Sequence, residues 1–325
     1  MALPAEIVDC HHHFLDPENN GFQGFLKSLG APQYLPEAYD ADADGLPIRQ
    51  TVHVEALPDD GHAEVEWVAR LMAAGRAPRV AAIVGQVDPS ASDADAQLDR
   101  LMALSPAVRG IRYIIDYDGE WDGGKSNATH VAVSRHGKDY LRDPVSAAEF
   151  ERGIALLAQR GLSFDLQCCP AQLPAAAAIF ARHPDLCVCI DHMGKSRHLE
   201  ADGGAADDAK LAEWRAGMKL MAALPQVHIK LSMLGYAVPG WHSNEAKEAL
   251  IRSLVRETIA LFGAKRCMFN SNWHVNGAVS NSDGKDADGP SMRQLFESFA
   301  RWVADMSKED QAALFAENAR RFYRI

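Results

Sequence analysis

The first residues that could do chemistry lie near the start of the chain, where an apolar run ends in the sequence DCHHH at positions 9–13. Side chains of a β-strand alternate between its two faces, so we expect Asp9, His11 and His13 on one face and His12 on the other. Two imidazoles at this spacing can bind one metal ion, typically Zn²⁺. His11 and His13 are therefore candidate metal ligands. The alternative is a polar strand end whose histidines only form hydrogen bonds.

The same feature recurs along the chain, because a polar side chain stands at or near the end of each of seven further apolar runs. In chain order these residues are Glu55, Gln86, Arg112, Gln167, His192, Lys230 and Asn272. The interior of a parallel barrel prefers Val, Ile and Leu. So many polar residues at one end of the strands therefore predict a single shared pocket.

Several of these residues leave more than one interpretation open. Arg112 could form an ordinary ion pair or a bidentate clamp on a substrate carboxylate. Lys230 is hard to explain as a core residue, because a buried ammonium group must find a partner. Glu55 could pair with either cation. The residues that we predict to bind or orient a substrate are Glu55, Gln86, Arg112, Gln167, Lys230 and Trp273.

Strand-like runs that alternate with helical spacing must position these side chains. The eight runs are Ile7–His13, Gln50–Glu55, Val80–Asp88, Val108–Ile115, Leu162–Gln167, Leu186–His192, Val227–Ser232 and Cys267–Asn272. Amphipathic stretches between them predict helices, at His62–Ala74, Asp93–Ala103, Ala147–Arg160, Gln172–Arg182, Asp207–Ala223 and Ala246–Phe262. Eight βα units predict an α/β protein with a (β/α)8 TIM barrel. We expect one domain over residues 1–325, with long loops at about 17–48, 117–144 and 273–290.

Composition and charge exclude several classes of function. The chain has 325 residues and a formal net charge of -11, without a Lys/Arg cluster, so nucleic acid is not an expected partner. We expect no membrane span and no secretory signal. The six cysteines form no CxxC pair, so we interpret them as reduced thiols of a cytoplasmic protein. A homo-oligomer is compatible with the sequence.

Motifs of other enzyme classes are missing from the sequence, which has no G-x-S-x-G elbow, no P-loop and no G-x-G-x-x-G after a strand. The motifs that are present are VDCHHHFLD, VRGIRYI, GLSFDLQ, CIDHMGKS, IKLSML and ENARRFYRI. In this order and spacing they resemble the amidohydrolase superfamily. Within it the chain is most similar to the lactonase branch that includes fuconolactone, rhamnonolactone and pyrone-dicarboxylate hydrolases. The resemblance extends from Ile7 to the end of the chain.

The resemblance implies a (β/α)8 barrel that hydrolyses a lactone or a similar cyclic ester. It implies that His11, His13 and His192 line the metal or substrate site. Members of the family usually end strand eight with an Asp, which activates the attacking water and can also bind a metal. This chain has Asn272 at that position, followed by Trp273 and His274.

Asn272 is the main departure from the family pattern, because an amide neither takes a proton at neutral pH nor supplies negative charge. Three explanations are open: an engineered Asp→Asn change, a native site with another base, or a protein that binds its ligand without hydrolysis. His274 is the nearest substitute base. The predicted catalytic residues are therefore His192, Asn272 and His274.

We predict attack of water on the ring carbonyl of a carboxylated or polyhydroxylated lactone. His192, with His11 and His13 or a bound divalent metal such as Zn²⁺, would stabilise the oxyanion. The cofactor is either one such metal or none. Some lactonases of this branch are thought to need none, and Gln167 does not complete a metal site. Two alternatives are a metal-dependent non-oxidative decarboxylase of the same superfamily and a catalytically silent ligand-binding protein.

Overall fold

Eight parallel strands form the centre of the computed structural model, which describes residues 3–117, 138–196, 199–273 and 289–325. The strands follow one another in chain order around a single sheet. They are β1 Ile7–His12, β2 Ile48–Val54, β3 Val80–Gln86, β4 Val108–Ile114, β5 Ser163–Gln167, β6 Val188–Ile190, β7 Val227–Leu231 and β8 Cys267–Phe269. Seven of the predicted runs contain one of these strands whole, and the run Gln50–Glu55 overlaps β2, which begins two residues earlier.

The sheet closes between its first and last strands. His12 forms a parallel bridge with Trp273. The Asn272 N–H donates to the His11 carbonyl at 2.8 Å, and the His13 N–H donates to the Trp273 carbonyl at the same distance. These bonds lie just beyond the end of β8, at the carboxyl end of the barrel. The predicted (β/α)8 barrel is confirmed.

Helices surround the barrel and include one for each predicted helical stretch. Several begin at a side chain that caps free backbone N–H groups, such as Asp60, Asp143 and Asn244. The helices are α1 Gly24–Ser28, α2 Pro36–Asp42, α3 Gly61–Ala73, α4 Ala94–Leu104, α5 Pro144–Gln159, α6 Leu173–Phe180, α7 Gly204–Ala222, α8 Leu234–Ala237, α9 Glu245–Phe262, α10 Met292–Trp302, α11 Lys308–Ala312 and α12 Asn318–Tyr323.

The three predicted long loops have different outcomes. The segment at 17–48 is not a plain loop, because it contains a 3-10 turn at Gly21–Gln23 and the helices α1 and α2. A backbone bridge between Leu15 and Tyr34 holds this segment against the end of β1. Apolar residues such as Leu26 and Tyr39 are buried there, which explains why the segment folds. Residues 118–137 and 274–288, which make up most of the other two loops, lie outside the described residues.

The C-terminal helix α12 packs against side chains of the barrel interior. Its Phe322 and Tyr323 belong to one buried cluster with interior residues of the strands, among them Val8 and Val52. The Tyr323 hydroxyl donates to Asp165 in β5 at 2.8 Å. The last helix therefore contributes an apolar layer and one polar contact to the inside of the barrel.

A partly buried histidine under this helix predicts a pH dependence of stability. The His228 ring lies 4.9 Å from the Phe322 ring, and burial lowers the pKa of His228 to about 4. The unfolded chain binds this proton near pH 6.5, whereas the folded chain does so only near pH 4. Folding stability is therefore lost as the pH falls through this window.

The loss can be measured by urea unfolding at pH 7.5 and pH 5 of the wild type and of His228→Gln. Glutamine does not titrate, so we expect the drop in unfolding free energy between the two pH values to be about 1–2 kcal/mol smaller in the variant. Equal drops in the two proteins would contradict the assignment.

Two further sequence-based expectations concern the chain as a whole. None of the helices in the described parts of the chain combines the length and apolar character that a bilayer-spanning helix requires. All six cysteines are free thiols, and Cys187 is the one that is not fully buried.

Candidate active site

The end of β1 places its histidines differently from simple strand alternation. The pairing of β1 with β2 shifts register between Asp9 and His12, as in a β-bulge, which resets the alternation of faces. The Tyr39 hydroxyl donates to Asp9 at 2.6 Å, and the Tyr39 ring lies 4.7 Å from the His12 ring. The rings of His11 and His13 lie 5.0 Å from each other. His11 and His13 therefore share a face as predicted, whereas the prediction that Asp9 joins them is wrong.

His11 lies between two cations. Arg112 Nη1 is 3.2 Å from its Nε2, and Lys230 Nζ is 3.2 Å from its Nδ1. Guanidinium and ammonium groups only donate hydrogen bonds, and a neutral imidazole has one lone pair, so His11 can accept from only one of these two cations. Its Nδ1 also lies 3.5 Å from Asp191 Oδ1. Burial first, and Lys230 second, hold the pKa of His11 well below its usual value. The ring is therefore neutral.

Lys230 is completely buried and ion-paired inside the barrel. Its Nζ lies 2.5 Å from Asp165 Oδ2 and 3.0 Å from Asp191 Oδ1. Burial alone would lower the pKa of Lys230, but the two carboxylates outweigh it and raise the pKa. Burial raises the pKa of Asp165, whereas the pKa of Asp191 is lowered because Lys230 and His11 outweigh the effect of burial. These contacts differ from the predicted role of Lys230 in substrate binding, because its ammonium group is directed at the protein.

Arg112 connects His11 to Glu55, which directly follows β2, and to Gln167 of β5. Its Nε donates to Glu55 at 2.6 Å, Nη2 donates to the Glu55 carbonyl, and Nη1 approaches Gln167 at 3.4 Å. The Gln86 amide donates to the other oxygen of Glu55 at 3.4 Å. The sequence left open whether Glu55 pairs with Arg112 or with Lys230, and the structure pairs it with Arg112. Burial raises the pKa of Glu55, and its carboxylate in turn helps to raise the pKa of Arg112 against the effect of burial.

His192 is presented by a strained turn. The turn His192–Lys195 directly follows β6, and all four of its residues have positive φ angles between 54° and 67°, although only Gly194 tolerates this without strain. Such strain is typical of functional sites. The Nδ1 of His192 lies 3.0 Å from the Ser232 hydroxyl, and the ring lies 4.8 Å from that of His11. Burial lowers the pKa of His192 to about 3, so this ring is also neutral.

Asn272 faces His13 at the junction of β8 and β1. The His13 Nδ1–H donates to the Val54 carbonyl at 2.8 Å, which leaves the Nε2 lone pair of the neutral ring free to accept. The atom of Asn272 that lies 3.3 Å from this Nε2 is Oδ1, so a hydrogen bond to the lone pair requires the amide to be turned over. An amide can turn its N–H₂ or its oxygen towards a partner, and the N–H₂ is the group that matches a lone pair. Burial is the main cause that holds the pKa of His13 well below its usual value.

Trp273 and His274, which follow Asn272 in the chain, were also predicted to take part in the site. The Trp273 indole N–H donates to Asp42 of α2 at 2.7 Å, so its polar atom is used within the protein. Trp273 is 9% exposed. His274, the predicted substitute base, lies outside the described residues.

The structure adds charged residues that sequence reasoning missed. Asp165 and Asp191 were not singled out, although each is a lone carboxylate beside an apolar stretch and could have been matched with the lone Lys230. Lys195 and Asp116 form a second buried ion pair. The Gln167 amide donates to Asp116 at 3.3 Å and accepts from Arg112 at 3.4 Å, so Gln167 links this ion pair to Arg112. No local pattern in the sequence indicates which of these charges pair with each other.

His11, Asp191 and His192 form a set that could hold a metal ion. One ligand atom from each lies within 4.8 Å of the others, and Zn²⁺ accepts such nitrogen and oxygen ligands. However, both ring nitrogens of His11 face a cation, and Asp191 is paired with Lys230 at 3.0 Å and with Arg112 at 3.6 Å. Two positive charges therefore stand at the atoms that a metal would need. The set does not fit a divalent ion while Lys230 keeps its position.

Comparison with known sequences gives one family. Residues 8–325 match the family profile described as amidohydrolase. The chain is 29% identical to an L-fucono-1,5-lactonase from Burkholderia ambifaria, with 98% of this chain and 95% of the relative covered. It is 28% identical to an L-fucono-1,5-lactonase from Burkholderia multivorans, with 99% and 97% covered.

Solved structures agree with this assignment. An amidohydrolase from Burkholderia multivorans with bound zinc has a TM-score of 0.74 at 25% identity, with 99% of this chain and 100% of that one covered. A probable 2-pyrone-4,6-dicarboxylic acid hydrolase from Acinetobacter baumannii has a TM-score of 0.62 at 13% identity, with 98% and 100% covered, and shows the shared fold alone.

Proposed function

The chain belongs to the amidohydrolase 2 family of hydrolases, and on this premise we propose that it opens a lactone by attack of water on the ring carbonyl. The observation that carries the proposal is the convergence of His11, His13, His192, Arg112 and Asn272 at the carboxyl end of the barrel. These residues come from four different strand ends and contact one another directly or through one neighbour. Barrel enzymes place their active sites at this end.

We assign stabilisation of the oxyanion to His192. Its Nδ1 is held by Ser232 at 3.0 Å, and its neutral ring can direct an Nε2–H towards the developing negative charge when Nδ1 accepts from the hydroxyl. The strained backbone of the turn fixes the position of the ring before substrate arrives. The His11 ring packs beside it at 4.8 Å between ring centres, and Arg112 in turn holds His11.

We assign the acceptance of the water proton to a histidine, because Asn272 cannot accept one. His13 is the described candidate, since its Nε2 lone pair faces the Asn272 side chain at 3.3 Å. Asn272 would hold the attacking water beside this contact, within reach of His13 Nε2. His274 stays a second candidate on the sequence argument.

We propose a polyhydroxylated substrate rather than a carboxylated one. Most N–H groups of Arg112 are directed at Glu55, His11 and Gln167, and the Lys230 ammonium is directed at Asp165 and Asp191, so neither cation is well placed to clamp a carboxylate. Gln86, which is only partly buried, offers an amide suited to a hydroxyl group, whereas both ends of the Gln167 amide are directed at Arg112 and Asp116. The relatives named L-fucono-1,5-lactonase point to the same class, a sugar lactone.

We further propose that hydrolysis requires no metal, since Lys230 and Arg112 stand at the ligand atoms of His11 and Asp191. The same argument speaks against the alternative of a metal-dependent decarboxylase. The free cysteines support a cytoplasmic location.

The test is a pH-indicator hydrolysis screen with sugar lactones and pyrone carboxylates, run with and without a chelator. We expect turnover of a sugar lactone that the chelator does not reduce, and little turnover of the pyrone carboxylates. Wild-type protein unfolded by heat serves as the control for spontaneous ring opening. No turnover of any lactone by protein that circular dichroism shows to be folded would refute the proposal. Turnover that disappears with chelator would refute its metal-independent part.

A further inference from the structure

The Lys230 ammonium group occupies a position built like a cation site. It is surrounded by Asp165 Oδ2 at 2.5 Å, Asp191 Oδ1 at 3.0 Å and His11 Nδ1 at 3.2 Å, and it has no exposed surface. Two carboxylates and an imidazole are also the groups that bind a divalent metal. Three different strands or strand ends supply them, so the barrel itself fixes the position of the cation.

We propose that Lys230 is a built-in cation that excludes a divalent metal from the set His11, Asp191 and His192. The ammonium group neutralises Asp191 and stands beside a His11 nitrogen, which are the atoms that the metal would need. Arg112 adds to the exclusion from the other side of His11, at 3.2 Å from Nε2. The inference rests on the metal-independent hydrolysis proposed above, and its test needs no substrate.

The way in which the Asp191 carboxylate is held supports this inference. Within the described part of the chain, neither of its two buried side-chain oxygens accepts a hydrogen bond of normal geometry. The carboxylate is held mainly by its charged neighbours, with Lys230 at 3.0 Å and Arg112 at 3.6 Å, and His11 Nδ1 lies 3.5 Å away. A carboxylate held mainly by charge can exchange one cation for another. Removal of the Lys230 charge should therefore leave Asp191, His11 and His192 available to a metal ion.

The experiment uses Lys230→Met, which keeps the length and apolar character of the side chain and removes its charge. Wild type and variant are freed of metal with a chelator and titrated with Zn²⁺ against a colorimetric competitor. We expect Zn²⁺ to bind the variant at one ion per chain and about 100-fold more tightly than the wild type, because a positive charge next to the ligands is gone. We also expect Zn²⁺ to raise the midpoint of thermal unfolding of the variant and not that of the wild type.

Two further variants make the result specific. Lys195→Met removes the cation of the other buried ion pair, with Asp116, and should leave Zn²⁺ affinity at the wild-type level. The double variant Lys230→Met/Asp191→Asn should lose the gain in affinity. If Lys230→Met alone does not fold, Lys230→Met/Asp165→Asn removes one of the two carboxylates left without a counter-charge and keeps the three metal ligands.

Two outcomes would overturn the inference. One is wild-type protein that binds Zn²⁺ as tightly as the variant. The other is a folded Lys230→Met protein, alone or with Asp165→Asn, that shows no gain in affinity. Neither outcome depends on finding a lactone, so a failed substrate screen and a failed metal experiment can be distinguished.

Discussion

Replacement of Asn272 by aspartate is expected to raise kcat for lactone hydrolysis by about 100-fold, the lower end of what a positioned general base contributes. The side chain of Asn272 lies 3.3 Å from His13 Nε2 and is almost completely buried. Its amide orients groups without accepting a proton. A carboxylate of the same shape would accept the proton of the attacking water at the same place. Steady-state kinetics of wild type and Asn272→Asp on one lactone measure the effect.

A double-mutant cycle shows which group is the base in the native protein. Asn272→Ala, which removes the amide without adding a carboxylate, is the matched control and should not gain activity. His13→Gln should lower kcat strongly in the wild-type background and much less beside Asp at position 272, because the carboxylate then takes the proton. A folded Asn272→Asp protein with unchanged or lower kcat would contradict the prediction, and His274 would then become the residue to replace.

Replacement of His192 by alanine is expected to lower kcat by about 100- to 1,000-fold, as the loss of one oxyanion donor does in other hydrolases. The ring is held by Ser232 at 3.0 Å and stands 4.8 Å from the His11 ring. Its pKa of about 3 keeps it neutral at neutral pH, so the ratio of wild-type to variant kcat should not change across the neutral range. The measurement is kcat and KM over that range, with kcat affected more than KM.

The control for this prediction is another partly buried histidine of the same barrel. His228→Gln changes a ring that packs on Phe322, away from the converging strand ends, and should keep the wild-type kcat. Thermal unfolding of both variants separates loss of chemistry from loss of folded protein. A His192→Ala enzyme that turns over at nearly the wild-type rate would remove this residue from the mechanism.

Much of the architecture followed from local patterns. The alternation of apolar runs with helical stretches predicted eight strands and six of the helices, and each of these elements is present. Local periodicity is sufficient there because a strand and a helix bury their faces with different spacings. The segment at 17–48 was misjudged as a loop, because α1 and α2 are short and bury few residues of their own. Their stability comes from packing against the barrel, which no local pattern records.

The sequence by itself indicated that polar side chains end the strands, and its resemblance to the family marked Asn272 as the position where an aspartate was expected. Only the tertiary structure decided which of them meet. The shift of register between Asp9 and His12 turned Asp9 away from His11, and a shift of this kind cannot be read from alternation. Closure of the barrel brought Lys230 to Asp165 and Asp191, which are 65 and 39 residues away in the chain by their numbering. Charge pairing in a buried site depends on distances of a few ångströms between strands, and these distances exist only once the barrel has formed.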